Sequence, residues 1–404
     1  MERSDLGLTF KDNKLQFYNC ELQRVASEFQ TPFYLYSEVA LNKNIHAFNE
    51  AKKLIAHETL VCFALKSNPN RRLIKHLANK GFGADVVSQG ELLRAIDSGI
   101  PSNKIVFSGV GKQFSEIELA IRKDILSINV ESLDELQTIN EIAKGLDKVA
   151  RVAFRLNPNV NALTHKHIST GSKRHKFGMQ RREILKALEQ KELWTNCKLI
   201  GLSVHIGSQL KELDATKLAI KATSNLAEEI GIELDFIDVG GGLGVSYQGE
   251  EVAGVVDYMK AVSESLSLKN VKRVIFEPGR VIAASAGVFV TKVIRVKSCT
   301  MSNFIIVDGG MNDFIRPSLY GAKHMAFPSR NTKSLKECSI VGPICETADT
   351  FAEELIFSEL EKGDLIALAH AGAYGRSMSS NYNLRELPKE IWCNKEGELS
   401  DISP

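Results

Sequence analysis

Between residue 37 and residue 277, short runs of β-branched and apolar residues alternate with longer amphipathic stretches, a rhythm that admits few folds. Parallel strands cannot be closed by tight turns, so each must be followed by a crossover, and amphipathic stretches of this length make helical crossovers. Eight strand-like runs are present: 62–66 (CFALK), 84–87 (ADVV), 105–108 (IVFS), 126–130 (LSINV), 150–155 (ARVAFR), 199–205 (LIGLSVH), 236–239 (FIDV) and 274–277 (VIFE). Helical patterns at 91–98, 114–123, 132–144, 181–190 and 214–230 fall between them, and 38–56 supplies an outer helix before the first strand. Eight such units predict a (β/α)8 TIM-type barrel, in which functional groups gather where strands end and loops begin.

Beyond Arg280 the texture changes. Residues 286–297, 303–308, 338–341 and 364–370 read as strands with few helices between them, a second and mainly β domain. A single core rarely grows past about 250–300 residues, so the 404 residues are expected to divide. The expected division is an N-terminal segment, 1–30, that joins the β domain through a strand at 6–18; a barrel, 31–283; and the C-terminal β domain, 284–404.

Composition narrows the class of partner. With 51 basic and 49 acidic residues the formal charge is +2, and neither sign forms a long block, so neither a nucleic acid nor a membrane surface is expected. A small molecule is the expected ligand. The seven cysteines are scattered and form no CxxC pair, which predicts neither a disulfide framework nor a zinc site and suits a reducing cytoplasm. Residues 1–10 lack a secretory pattern, and no run of about 18 apolar residues offers a membrane span.

Four features bear chemistry, each with a plainer structural reading. Lys66 closes the first strand behind Phe63-Ala64-Leu65, where apolar neighbours bury its stem and lower its pKa; a desolvated amine is a nucleophile, a solvated one a surface charge. Gly240-Gly241-Gly242 follows another strand and either presents backbone N–H groups to a phosphate or makes a tight turn. Glu277, in Glu-Pro-Gly-Arg, either holds a heterocyclic nitrogen protonated or pairs with Arg280. His205, in His-Ile-Gly-Ser208, either lies on a cofactor ring or is a hydrogen-bonded core residue. All four fall at carboxyl ends of strands and therefore around one barrel mouth, which favours the functional readings together. His165 and His167 form the closest histidine pair, but no Cys, Asp or Glu joins them, so no metal is expected.

These motifs, recurring in order from Phe63 to Pro388, resemble the fold-type III pyridoxal-phosphate decarboxylases, and within them the diaminopimelate decarboxylases. The resemblance implies a carboxy-lyase that uses pyridoxal 5'-phosphate to convert meso-diaminopimelate to L-lysine and CO2, the last step of lysine biosynthesis. It makes Lys66 the cofactor-bearing lysine, Glu277 the partner of the ring nitrogen, and His205 the ring-stacking residue. Ser208 with Gly240, Gly241 and Gly242 forms the phosphate site, bordered by Gly279 and Arg280. Asp308-Gly-Gly-Met-Asn-Asp-Phe-Ile-Arg316-Pro-Ser-Leu-Tyr320-Gly-Ala322 resembles the signature whose Arg316 and Tyr320 bind substrate carboxylate. Gly342-Pro-Ile-Cys345-Glu346-Thr-Ala-Asp349 resembles the loop that reaches a neighbouring subunit's site, implying a homodimer with Cys345 as proton donor and Glu346 at the distal amine. Tyr374, in Ala-Gly-Ala-Tyr-Gly, is implied near phosphate and substrate, as is Arg280. Residues 165–171 and 176–179 resemble further family loops.

Other readings share parts of this pattern. An ornithine, arginine or carboxynorspermidine decarboxylase would share barrel and cofactor, but Arg316-Pro317 and Cys345-Glu346 speak against it. An alanine racemase would pair the ring nitrogen with arginine, whereas Glu277 is acidic. An inactive binding protein of the antizyme-inhibitor kind would have lost cofactor residues, and Lys66, His205, Glu277 and Cys345 are all present.

Overall fold

Strand runs rich in Val, Ile, Phe and Ala bury one face inward and one against helices. In a computed structural model of the chain, which describes residues 3–160, 176–267, 270–300, 302–330 and 332–404, all eight lie in one closed parallel barrel. Its strands are Glu58–Ala64, Gly83–Val86, Ile105–Phe107, Ser127–Val130, Ala150–Arg155, Cys197–Ser203, Leu234–Asp238 and Val271–Phe276. Each pairs with the next, and the last closes on the first with Val274 opposite Thr59. The expected helices appear as Glu38–Ala51, Gln89–Asp97, Phe114–Arg122, Leu133–Gly145, Arg181–Glu189 and Asp214–Ile230. Two more, Arg71–Asn79 and Val255–Ser265, were not anticipated; the first buries only Leu73, Ile74 and Leu77, too few apolar positions to stand out.

The turn from strand into helix is written locally. Ser88 and Ser132 accept N–H bonds from Glu91 and Glu135, three residues on, and those glutamates reach back to the N–H groups of Val87 and Glu131. Such reciprocal caps fix where each helix begins, at about 1 kcal/mol per cap, and so fix the rim of the barrel mouth.

The barrel interior changes character with height. Leu60, Cys62, Val106, Ala153, Ile200, Phe236 and Ile275 form a dry plug. Strand side chains repeat every two residues, so the positions two beyond Val106, Ala153, Phe236 and Ile275 share that face: Ser108, Arg155, Asp238 and Glu277, all buried and all polar. Gly201 leaves room for the Phe236 ring, which a Cβ would strike, and two residues later Ser203 joins the polar layer. An apolar floor beneath a polar ring is the platform on which the site is built.

The chain divides into two compact units: Ala47–Val245 with Glu251–Gly279, and Met1–His46 with Ser246–Glu250 and Arg280–Pro404. The second unit is built on a nine-stranded, largely antiparallel sheet. Its long strand Gly287–Ser298 pairs with Phe33–Ser37 and Leu365–Leu368 through its first half and with Asn303–Val307 through its second. All four expected strand regions are present, joined by Phe33–Ser37, Ala326–Pro328, Thr350–Ser358, Lys389–Cys393 and Leu399–Asp401. The opening segment differs from expectation: residues 6–18 are a hairpin, Leu8–Lys11 with Lys14–Phe17, in a small sheet of its own. Leu8, Leu15 and Phe17 instead pack into one core with Val288, Leu365 and Ile391, so the hairpin meets this unit through side chains.

Among the described residues no helix is long and apolar enough to cross a membrane, and no three or more His, Cys, Asp or Glu are grouped to hold a metal. His165, His167 and the motif 165–171 lie outside the described residues.

Candidate functional site

Lys66, His205 and Glu277 each lie one or two residues past a strand, where the ladder has ended and side chains turn toward the mouth. Lys66 therefore does not close its strand as expected: the strand stops at Ala64, and Leu65–Ser67 forms a single 3-10 turn. The three line one cavity of about 480 Å³ with Ser108, Asn129 and Arg155. A larger cavity of about 830 Å³ in the other unit is lined by Pro317, His324 and Phe327; size does not pick the site, because the smaller one collects the chemistry.

Lys66 Nζ lies 2.6 Å from Asp85 Oδ2, and the Asp85 side chain is wholly buried. Asp85 was not singled out in the sequence, although an acid inside Gly-Ala-Asp-Val-Val was a visible interruption. The imidazole of His205 is held by the glycine loop, with the Gly241 N–H donating to Nδ1 at 3.2 Å. Burial, then the cations of Lys66 and Arg155, pushes its pKa well below the usual histidine range. A neutral ring that accepts at Nδ1 carries its proton on Nε2, a tautomer suited to flat packing on another ring.

Glu277 is buried beside Asp238. Burial, then the neighbouring Asp238 and Asp85 carboxylates, raises its pKa well above the usual range, opposed by Lys66. One carboxyl oxygen, Oε1, is buried with no hydrogen-bond partner among the described residues. An unpaired buried oxygen costs about 1–3 kcal/mol, and the polar layer holds four: Glu277 Oε1, Asp238 Oδ2, Asp85 Oδ1 and Ser203 Oγ. A fold that carries such a cost at one spot is built for something that binds there.

The glycine loop is required by backbone contact. Gly240 and Gly242 have φ of 70° and 95°, and a Cβ at Gly240, Gly241 or Gly242 would strike the carbonyl oxygens of Val204, Glu277 and Gly207 respectively. Ser208 follows Gly207 directly, so its hydroxyl and the glycine N–H groups belong to neighbouring loops. Gly279 packs on Ser67, leaving only 3.0 Å for a Cβ. These residues fit pyridoxal phosphate: an amine for its aldehyde, an unsatisfied buried carboxyl for its ring nitrogen, and a side-chain-free cradle for its phosphate.

In the other unit Arg280, Arg316, Tyr320 and Tyr374 come together around Tyr247, which the sequence reading missed. Arg280 Nη1 donates to Tyr247 Oη at 2.6 Å, and its Cζ lies 4.8 Å from the Tyr374 ring centre. Arg316 begins the short helix Arg316–Tyr320 with Pro317 behind it, so Tyr320 falls one turn on, 5.7 Å from the guanidinium. Arg316 Cζ also lies 5.4 Å from the Tyr247 ring. Burial lowers the pKa of Arg316, the tyrosine rings oppose this, and the Arg280 charge adds to it. Among the described residues Arg316 forms no ion pair with a carboxylate; its Nε donates to His324 Nε2 at 3.3 Å, and His324 Nδ1 faces the Ala369 carbonyl at 2.8 Å. A buried guanidinium stacked on phenols calls for an anion in its plane.

The acids of the 308–322 signature do different work. Asp308 accepts from Thr31, Thr291 and the Lys292 N–H, and Asp313 accepts from the Gly310 N–H and from Asn312, so they set the loop from which Arg316 projects. Asp349 does the same for 342–349, accepting the N–H groups of Ile344 and Met311, each at 2.6 Å. Cys345 and Glu346 stand exposed on that loop, with Glu346 Oε1 accepting from Tyr382 at 2.8 Å.

Known proteins match this architecture closely. Residues 41–284 match the family model of the pyridoxal binding domain of pyridoxal-dependent decarboxylases. A diaminopimelate decarboxylase of Helicobacter pylori is 44% identical over 368 residues, covering 90% of this chain and 90% of that protein. One of Aquifex aeolicus is 40% identical over 390 residues, covering 95% of this chain and 91% of that protein. The crystal structure of diaminopimelate decarboxylase from Helicobacter pylori complexed with L-lysine superposes with a TM-score of 0.90 at 41% identity, covering 95% of this chain and 96% of the other.

Proposed function

This chain belongs to the diaminopimelate decarboxylases, within the pyridoxal-dependent decarboxylases, and from that membership we propose how its own residues divide the work of releasing CO2 from meso-diaminopimelate to leave L-lysine. The observation that carries the assignment is the barrel-mouth cavity that gathers Lys66, His205 and Glu277. When bound, pyridoxal phosphate accepts the electron pair left on carbon as CO2 departs.

Lys66 holds the cofactor through its amine, and Asp85 keeps that amine in place at 2.6 Å. Glu277 keeps a proton at the ring nitrogen, for which its raised pKa and unsatisfied Oε1 suit it. His205, neutral and steered by the Gly241 N–H, packs on the ring. Gly240, Gly241, Gly242 and Ser208 hold the phosphate, with Gly279 closing the turn beside Ser67. Arg316 and Tyr320 bind a substrate carboxylate, with Arg280 and Tyr374 beside them; gripping one end of the substrate selects which carboxylate is lost. Ornithine has no distal carboxylate for Arg316 to meet, which disfavours it as a substrate.

Cys345 returns the proton that replaces CO2, and Glu346 meets the distal amine. Both are exposed on their loop, and we propose that they serve the site of a second copy in a homodimer. All seven cysteines are free, which supports work in the cytoplasm. Cys345→Ala should lower turnover by about 10²–10⁴-fold, the range of general acid catalysis, while bound cofactor is retained. Mixing Lys66→Ala with Cys345→Ala subunits should restore about a quarter of wild-type activity, because half the dimers are hybrids with one intact site each. No restoration on mixing would rule out shared sites.

A further inference from the structure

Asp238 ends the seventh barrel strand, and the mechanism above gives it nothing to do. It is wholly buried. Oδ1 accepts the Gly240 N–H at 2.9 Å, which shapes the start of the glycine loop. Oδ2 is buried with no hydrogen-bond partner among the described residues. Asp238 lies opposite Ile275 in the ladder, two residues below Glu277 on the neighbouring strand, and the Glu277 N–H donates to the Gly240 carbonyl at 2.8 Å. One aspartate therefore touches the phosphate loop with one oxygen and shares the inward face of the barrel with the ring-nitrogen acid on the next strand.

We infer that Asp238 is a positioning residue whose negative charge holds the proton shared between Glu277 and the cofactor's ring nitrogen, so that the cofactor stays bound and protonated into the alkaline range. Resting on the assignment of Glu277 to that nitrogen, the inference deepens it. The two carboxyls are unequal in the direction this needs: burial moves Asp238 up to about 6, offset by Glu277 and by the Gly240 N–H, whereas burial and then the Asp238 and Asp85 charges raise Glu277 well above the usual carboxylate range. Above the Asp238 pKa the aspartate is ionised while Glu277 keeps its proton. An anion beside a protonated pair makes the proton harder to remove, so the pair's pKa is higher with Asp238 charged than without it. The other groups facing the pair are His205, whose Nδ1 lies 4.0 Å from Glu277 Oε2 and whose ring burial keeps neutral, Lys66 after the first strand, Asp85 on the second, Asn129 on the fourth, Cys62 in the floor and Tyr258 from the outer helix. Lys66 alone among these brings positive charge, and it is 2.6 Å from Asp85.

The test is the affinity of apoenzyme for pyridoxal phosphate against pH in Asp238→Asn, Asp238→Ala and Glu277→Gln, beside the wild type. Asparagine keeps an oxygen for the Gly240 N–H and removes only the charge; alanine removes both. Asp238→Asn should bind like the wild type below about pH 6, where the aspartate is protonated, and at least about tenfold more weakly near pH 9. Asp238→Ala should be weaker at every pH. If Asp238→Asn tracks the wild type across the range while Glu277→Gln does not, the role given to Asp238 is wrong and that of Glu277 stands. If Glu277→Gln also tracks the wild type, both are wrong. Should Asp238→Asn not fold, infrared titration of the wild-type apoenzyme decides: one buried carboxylic acid persisting well above neutral pH supports the inference, and two carboxyls titrating together at ordinary pKa overturn it.

Discussion

Replacing Lys66 with alanine should abolish the absorbance of bound cofactor near the visible edge and lower turnover by at least about a thousandfold, since covalent attachment of the cofactor is lost. Among the described residues the other basic side chains of the cavity are Lys176, Arg155 and Lys112, and Lys176 lies over the Phe177 ring at 5.4 Å. Arg155 pairs with Glu131, and Lys112 is buried against Glu135. Alanine would also strand the buried Asp85 carboxylate, a cost of about 3–5 kcal/mol when one partner of a buried pair is removed. Lys66→Arg is therefore the sharper control: it keeps a cation for Asp85 but cannot attach the cofactor. A loss of colour and turnover in both variants, with the arginine form the more stable, is the expected pattern. An alanine variant that keeps colour and turnover would remove Lys66 from its role.

Replacing Arg316 with leucine should raise KM for meso-diaminopimelate by roughly a hundredfold, corresponding to about 3 kcal/mol for a desolvated guanidinium–carboxylate contact. Affinity for pyridoxal phosphate should change little, because Lys66, His205, Ser208, Glu277 and the glycine loop, which are assigned to the cofactor, lie in the other unit. Leucine fills much of the space of the arginine stem, so packing against Tyr247 and Tyr320 is partly kept while the charge is lost. Removing a buried cation that pairs with no carboxylate among the described residues should also relieve a desolvation cost, so the variant is expected to unfold no earlier than the wild type. Steady-state kinetics with cofactor titration separates the outcomes: an unaltered KM, or a KM that rises only with cofactor loss, would contradict the substrate role.

The barrel was legible because its strands end the same way. In residues 274–277 and 236–238 the inward two-residue period runs through apolar side chains and then meets an acid, so a functional mouth could be inferred before any geometry was known. Asp238 was legible only as part of a glycine motif, and Asp85 not at all, because their roles depend on neighbours across the barrel. Tyr247 was hidden for a related reason: it follows the seventh barrel strand in sequence but belongs with Arg280 and Arg316 in the other unit. In that unit Phe33–Ser37 is buried on every residue and shows no alternation, and its partners, Gly287–Ser298 and Lys389–Cys393, are more than half the chain away. Thr350–Ser358 was obscured by Glu353 and Glu354, exposed acids in the middle of a strand. Local pattern reveals local structure; long-range partners escape it.

A barrel-bound cofactor that takes charge from a breaking carbon–carbon bond, with Arg316 proposed to grip a second carboxylate, makes substrate choice decisive. CO2 release from purified protein loaded with pyridoxal phosphate, measured in parallel with meso-diaminopimelate, ornithine, arginine and carboxynorspermidine, tests it most directly. Rapid release with meso-diaminopimelate alone, matched mole for mole by L-lysine, is the expected result. Release from ornithine or arginine at a comparable rate, or none from meso-diaminopimelate, would contradict it.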